Sequence, residues 1–238
     1  MKKLGMLTPS SNTVVEPLTV SMAAALKEVS VHFTRFKLTQ ILLDQELRGE
    51  SDTESLLNAA SLLADASVDV IAYNATSGGW LGVESDQELC EQITNLTTIP
   101  ATTSILALHE ALRLYGIRTF CLVTPLMNEV TEKVIGQYAR HGLECTGYRN
   151  FNVRLNKLSS SISEEQIISA VQDTFVPGTG AIVLSGTNMR AAQLVESLEA
   201  QYGVPVLDTA AATLWQSLRL AGSPPIQLEG WGRLLSGK

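Results

Sequence analysis

The sequence predicts an α/β protein of two pseudo-symmetric, Rossmann-like domains, each with a parallel sheet, and a cleft between them. Two observations carry this. Short runs rich in Val, Ile and Leu alternate with longer segments of helical period, the pattern of βα units around a sheet buried on both faces. The chain also repeats itself. LTPSSNTVVE at 7–16 lines up with VTPLMNEVTE at 123–132, at an offset of 116 residues. VIAYNATSGG at 70–79 lines up with AIVLSGTNMR at 181–190 (offset 111), and ALRLYG at 111–116 with SLRLAG at 217–222 (offset 106). Three matches in one order, with a slowly falling offset, indicate two halves built alike.

In chain order, the apolar runs predict strands at KLGMLT (3–8), SVHFTRFK (30–37), VDVIAYN (68–74) and IPATT (99–103). The second half continues with RTFCLVT (118–124), ECTGYRNF (144–151), GAIVLS (180–185) and VPVL (204–207). Helical spacing places helices between them at 16–28, 53–66, 104–115, 128–141, 163–173, 189–202 and 210–220, with a further polar helical stretch in DQELCEQI at 86–93. No linker rich in Pro, Gly or Ser separates the halves. The first crossing is expected near Gly116, and a second near Gly203 if the last helix returns to the first half. That reading divides the chain into 1–116 plus 204–238 and 117–203.

Composition narrows the function. With 238 residues, 45% of them hydrophobic and 17% charged, the chain can bury one large core or two small ones. The net charge is -7 and the 17 Lys and Arg residues are scattered, which leaves no basic footprint for nucleic acid. No run approaches the roughly 20 apolar residues that a bilayer span needs, so no membrane partner is expected. The opening apolar run stops at Pro9, too short for a signal-peptide core. Cys90, Cys121 and Cys145 lie far apart, with no CxxC pair and no adjacent histidine. This fits a reducing, cytoplasmic setting and gives no metal site. No cofactor is expected, and self-association into a homo-oligomer stays open.

The chemistry sits at four turns where strands end in small and hydroxyl residues: TPSSN and NATSGG in the first half, TPLMN and SGTNM in the second. Ligands of open α/β sheets bind at such carboxyl ends of strands. Where a helix follows, its first N–H groups and dipole favour an anion. None of these turns carries Lys, and no GxGxxG or GKS/T pattern occurs, so a carboxylate fits better than a nucleotide phosphate. Ser10, Ser11, Asn12, Thr76, Ser77, Thr187 and Asn188 are the candidate ligand-holding residues. Simple helix capping is the competing use of such side chains.

At these residues the chain resembles the Asp/Glu racemase superfamily, and within it the branch of maleate cis-trans isomerases and arylmalonate decarboxylases. The likeness is carried by PSSNT at 9–13, DVIAYNATSGG at 69–79, VTPLMNE at 123–129, LSGTNMR at 184–190 and ATLWQSLRLAG at 212–222. The resemblance implies two pseudo-symmetric α/β domains with the active site between them. It also implies one cysteine in each half, and those positions hold Ala75 and Gly186 here. A tyrosine of the third motif is replaced by Leu126.

Neither Ala nor Gly can exchange a proton or form a covalent adduct, so two-thiol chemistry is excluded. What the resemblance leaves is a carboxylate cradle. Thr76 and Ser77 stabilise an enediolate, Asn12, Thr187 and Asn188 hold the carboxylate, and the returned proton comes from water, the substrate or Tyr73. Three readings stay open. One is a cysteine-independent lyase or decarboxylase acting on a small mono- or dicarboxylate through an enolate-like intermediate. The second is a non-catalytic carboxylate binder or sensor. The third is a maleate-isomerase-type enzyme with an inactivating cysteine-to-alanine change at position 75.

Overall fold

The structure is a computed structural model that describes residues 1–38, 50–224 and 227–237. The first half runs β1 (Lys2–Pro9), α1 (Val15–Ala23), β2 (Val29–Phe36), α2 (Glu50–Asp65), β3 (Val70–Tyr73), α3 (Gly78–Leu81), α4 (Val83–Thr97), β4 (Ala101–Thr103) and α5 (Ser104–Leu114). The second runs β5 (Thr119–Thr124), α6 (Asn128–Arg140), β6 (Glu144–Asn150), α7 (Glu164–Thr174), β7 (Ala181–Leu184), α8 (Val195–Tyr202), β8 (Val206–Asp208) and α9 (Thr209–Leu220). A short helix, α10 (Arg233–Ser236), follows.

The strands form two four-stranded parallel sheets, ordered β2-β1-β3-β4 and β6-β5-β7-β8. The orders are the same, which is the duplication the sequence repeat announces. Even the register repeats: Tyr73 pairs with Thr103 at the end of the first sheet, and Leu184 with Asp208 at the end of the second. The central strands VIAY and AIVL are buried at every residue, as continuous apolar runs covered on both faces must be. One core cluster joins the halves, with Leu4, Met6 and Leu108 from the first packed with Phe120, Leu122 and Leu218 from the second. Each sheet has its own cluster on its other face, around Ile71 and Ile93 in one and Ile182 and Ile167 in the other.

Three expectations change. The stretch around Cys90 is part of a full helix, α4, whose buried Leu89 and Ile93 face the first sheet's outer core. Val206–Asp208 pair with β7, so the strand expected to open the return to the first half belongs to the second sheet. Gly203, where the crossing is expected, ends α8 in a left-handed cap. The helix expected from residue 189 begins only at Val195, after a 3-10 turn at Ala192–Leu194. Asn188 explains the delay, because its side chain is drawn across to the first half instead of capping a helix.

Candidate active site

The turns after β1, β3 and β7 meet at the carboxyl ends of the two sheets, and a line of hydrogen bonds joins them. The side-chain oxygen of Asn12 accepts the backbone N–H groups of Val14 and Val15, both at 2.9 Å, and so caps α1. Its amide nitrogen donates to the Thr187 hydroxyl at 3.1 Å. That hydroxyl donates in turn to the Asn74 carbonyl at 3.1 Å. Capping and bridging are therefore not alternatives for Asn12; it does both, and one amide hydrogen has no partner among the described residues.

A second stitch lies alongside. The Asn188 side-chain oxygen accepts from the Thr13 amide (3.0 Å) and its nitrogen donates to the Asn156 carbonyl (2.7 Å). Asn156 donates from its own side chain to Ser11 Oγ (2.9 Å), and Ser11 passes its proton to the Leu38 carbonyl (2.6 Å). Leu38 N–H donates to Ser10 Oγ at 3.2 Å. Arg35 clamps the same turn from outside, donating to the Ser10 and Asn12 carbonyls (3.1 Å each) while paired with Glu16 at 2.9 Å. Sequence patterns could not show Asn156 or Arg35, because their partners lie across the sheet or in the other half.

In the turn after β3, Tyr73 packs its ring on Phe36 (5.4 Å between centroids) and brings its hydroxyl to 3.1 Å from Ser77 Oγ. Ser77 precedes α3, yet its side chain makes no capping bond. Thr76 and Ser77 are half-buried, whereas Ala75 is buried. The Thr76 hydroxyl has no hydrogen-bond partner among the described residues. Gly78 lets the turn settle on the fully buried Asp86, whose carboxylate accepts from the Thr103 hydroxyl; a Cβ there would strike that carboxyl. The helix that follows is a single turn, so backbone N–H groups rather than a long helix dipole mark this site.

The second half differs. The Gly186 amide donates to Thr209 Oγ1 at 3.1 Å. A Cβ built on Gly186 would lie 2.7 and 2.9 Å from Pro125 Cδ and Cγ, so no larger residue fits unless Pro125 moves. Leu126 is buried in the shared core and not in an open pocket. Asp208 caps α9 through one oxygen, which accepts from Ala210 and Ala211 at 2.8 and 2.9 Å. Its other oxygen is buried with no hydrogen-bond partner among the described residues. Burial pushes this carboxyl up to about 7.

The remaining cysteines and histidines sit apart from these turns. Burial pushes the Cys121 thiol up to about 11 and raises that of Cys145, the reverse of what a nucleophile needs. His109 stacks on Tyr138 at 4.9 Å between rings, and burial, then His141, lower it to about 4.

Two parallel α/β units with hydrogen-bonding turns gathered at the carboxyl ends of their strands define a class of duplicated α/β folds. Residues 10–235 match the arylmalonate decarboxylase family, and the chain belongs to it. It is 28% identical to a maleate isomerase of Pseudomonas putida, over 99% of this chain and 97% of that protein. It is 26% identical to an arylmalonate decarboxylase of Bordetella bronchiseptica, over 76% and 77%. The crystal structure of the maleate isomerase from Pseudomonas putida S16 superposes with a TM-score of 0.89 at 25% identity, over 99% of this chain and 98% of that one. A cysteine-to-serine variant of the Nocardia farcinica maleate cis-trans isomerase, holding a covalently bound succinylcysteine intermediate, gives 0.87 at 26% identity, over 100% and 99%. The relatives are thus isomerases and lyases. Among the described residues, no helix is long and apolar enough to cross a membrane.

Proposed function

We propose that the protein is a lyase that decarboxylates a small dicarboxylate, with both carboxylates on one carbon, through an enolate-like intermediate and without thiol chemistry. One observation carries the reading. The hydroxyl and amide groups able to hold a carboxylate converge from both halves, while the residues at 75 and 186 have no group that exchanges a proton. A cysteine at 186 would moreover collide with Pro125.

In this scheme Asn12 and the turn at Thr187 and Asn188 hold the substrate, and Thr76, Ser77 and the N–H groups around them bind the carboxylate that is kept. Breaking the bond to the departing carboxylate releases CO2 and leaves its electron pair on the α-carbon, spread into the retained carboxylate as an enediolate. Donors fixed in advance stabilise that charge without reorganising. A proton from water, or from Tyr73, whose hydroxyl adjoins Ser77, then completes the product at the α-carbon. No protein base is needed, because the cleavage itself creates the carbanion.

The absence of a proton-exchanging side chain in either turn also favours a second reading, a carboxylate binder without turnover. Incubation with a panel of malonates, maleate, aspartate and hydroxy acids in D2O separates the two. CO2 release with deuterium at the α-carbon supports the lyase, thermal stabilisation without turnover supports the binder, and neither response to any acid overturns both.

A further inference from the structure

A chain of buried polar groups connects the two turns, and none of its hydroxyls belongs to the turns themselves. Ser104 opens α5 and Thr209 opens α9, so the two occupy equivalent places in the two halves. The Ser104 hydroxyl donates to the Tyr73 carbonyl at 3.3 Å, the last strand residue before Asn74 to Ser77. Thr213, one turn into α9, shares its hydroxyl proton between Ser104 Oγ at 2.9 Å and the Thr209 carbonyl at 2.6 Å. Thr209 Oγ1 accepts the Gly186 amide at 3.1 Å. Ser104, Thr209 and Thr213 are essentially inaccessible to solvent.

These hydroxyls lie where the shared core is otherwise built of Ala107, Leu108, Ala211, Ala212 and Leu214. Apolar side chains would fill that space without a desolvation penalty, whereas buried hydroxyls are tolerated only when paired. What they add is directionality. A satisfied polar network in a low-dielectric interior admits one arrangement, while an apolar contact tolerates sliding. The ends of this network are a carbonyl and an amide that flank the two turns.

We infer that Ser104, Thr213 and Thr209 are positioning residues that set the separation and orientation of the Asn74 to Ser77 turn against the Gly186 turn. They touch no substrate and act through the backbone of Tyr73 and Gly186. The functional side of this inference rests on the carboxylate reading above; the structural side does not.

Two variants at one position separate the hydroxyl from its shape. Thr213→Val keeps the branched shape and removes the hydroxyl, whereas Thr213→Ser keeps the hydroxyl and loses a methyl. In T213V, amide hydrogen exchange followed by NMR should rise about tenfold at both Gly186 and Asn74, which lie in different halves, and carboxylate affinity should fall by a similar factor. T213S should stay within about threefold of the parent in both measurements. The inference fails if T213V is folded and exchanges like the parent at Asn74, or if T213S behaves like T213V.

Ser104→Ala cuts the same link while leaving the Thr213–Thr209 bond in place, and it gives the decision should T213V not fold. It must loosen Gly186 as well as Asn74, and loosening at Asn74 alone overturns the inference. If no carboxylate binds the parent protein, the functional reading falls while the exchange comparison still decides the coupling.

Discussion

Asn12 and Asn128 occupy the same place in the repeat, each three residues beyond the proline side of its central strand's end, and the structure uses them in opposite ways. Asn12 is buried and reaches into the other half through Thr187. Asn128 is exposed and bonds only within its own half, donating to Glu132 and accepting from Tyr148 and Asn150. The residues before them account for the difference. Ser10 and Ser11 offer hydroxyls to Leu38 and Asn156, whereas Leu126 turns into the shared core with Met127 packed beside it. The backbone is duplicated and the chemistry is not. The polar contacts between the halves come from the turns after β1, β3 and β7, while the β5 turn gives packing.

The sharpest test of this asymmetry is a second equivalent pair, Thr103 and Asp208, which cap α5 and α9 from matching register positions. One cap is a neutral hydroxyl and the other a buried acid raised from 3.8 to about 7. An acid whose folded pKa lies above its unfolded one binds more protons when folded. Stability therefore falls as pH rises from the unfolded to the folded value, and is level outside that window. Asp208 should thus lower stability by up to about 4 kcal/mol between roughly pH 4 and pH 7, taking about 1.4 kcal/mol per pKa unit. Asp208→Asn keeps a good capping group and removes the charge. Urea unfolding across that range should show the variant gaining on the parent; parallel profiles would mean that Asp208 is ionised in the fold.

The asparagine pair itself is the next test. Asn12→Ala removes the cap of α1 and the bridge to Thr187, and should cost about 1 to 3 kcal/mol of stability, with a comparable loss of carboxylate affinity. Asn128→Ala should stay within about 0.5 kcal/mol, as for an exposed site. Equal losses in denaturant melts of the two variants would show that the halves contribute alike and that the comparison is wrong.

A smaller contrast separates the two small residues of the turns. Gly186→Cys drives a side chain against Pro125 and should destabilise the protein by about 1 to 3 kcal/mol, the usual range for overpacking. Ala75→Cys keeps the existing Cβ and adds one sulfur at a buried position, and should cost less than Gly186→Cys, about 1 kcal/mol. Differential scanning calorimetry of the two single variants checks the order, and a Gly186→Cys protein as stable as the parent would mean that Pro125 yields freely.

Much of this was legible in the chain. The repeat predicts two like halves, and the alternation of strand-like and helical segments predicts all eight strands, the central ones most plainly because they are buried on both faces. The sequence groups four turns, after β1, β3, β5 and β7; hydrogen bonds join three of them, and the β5 turn packs into the core instead. Their detailed employment was not legible. Whether Asn12 caps, bridges or binds depends on Thr187, and the partners of Asn188 and Ser11 lie in the opposite half. Helical period cannot show that Asn188 is drawn across the cleft and delays α8. Nor does composition reveal Ser104 and Thr213, two hydroxyls inside helices that look like ordinary polar surface until their packing is known. The sheet membership of β8 escaped for a similar reason, since three residues of strand carry no sign of the edge they join.

The contact between Gly186 and Pro125 also bears on how this chain can change. A thiol at position 75 needs one sulfur added to a Cβ that the fold already accommodates. A thiol at 186 needs a prior or simultaneous change at Pro125, since either step alone leaves the turn mispacked or loosened to no purpose. Mutational paths toward a two-thiol site are therefore ordered: position 75 can change by itself, whereas position 186 is epistatically coupled to its proline.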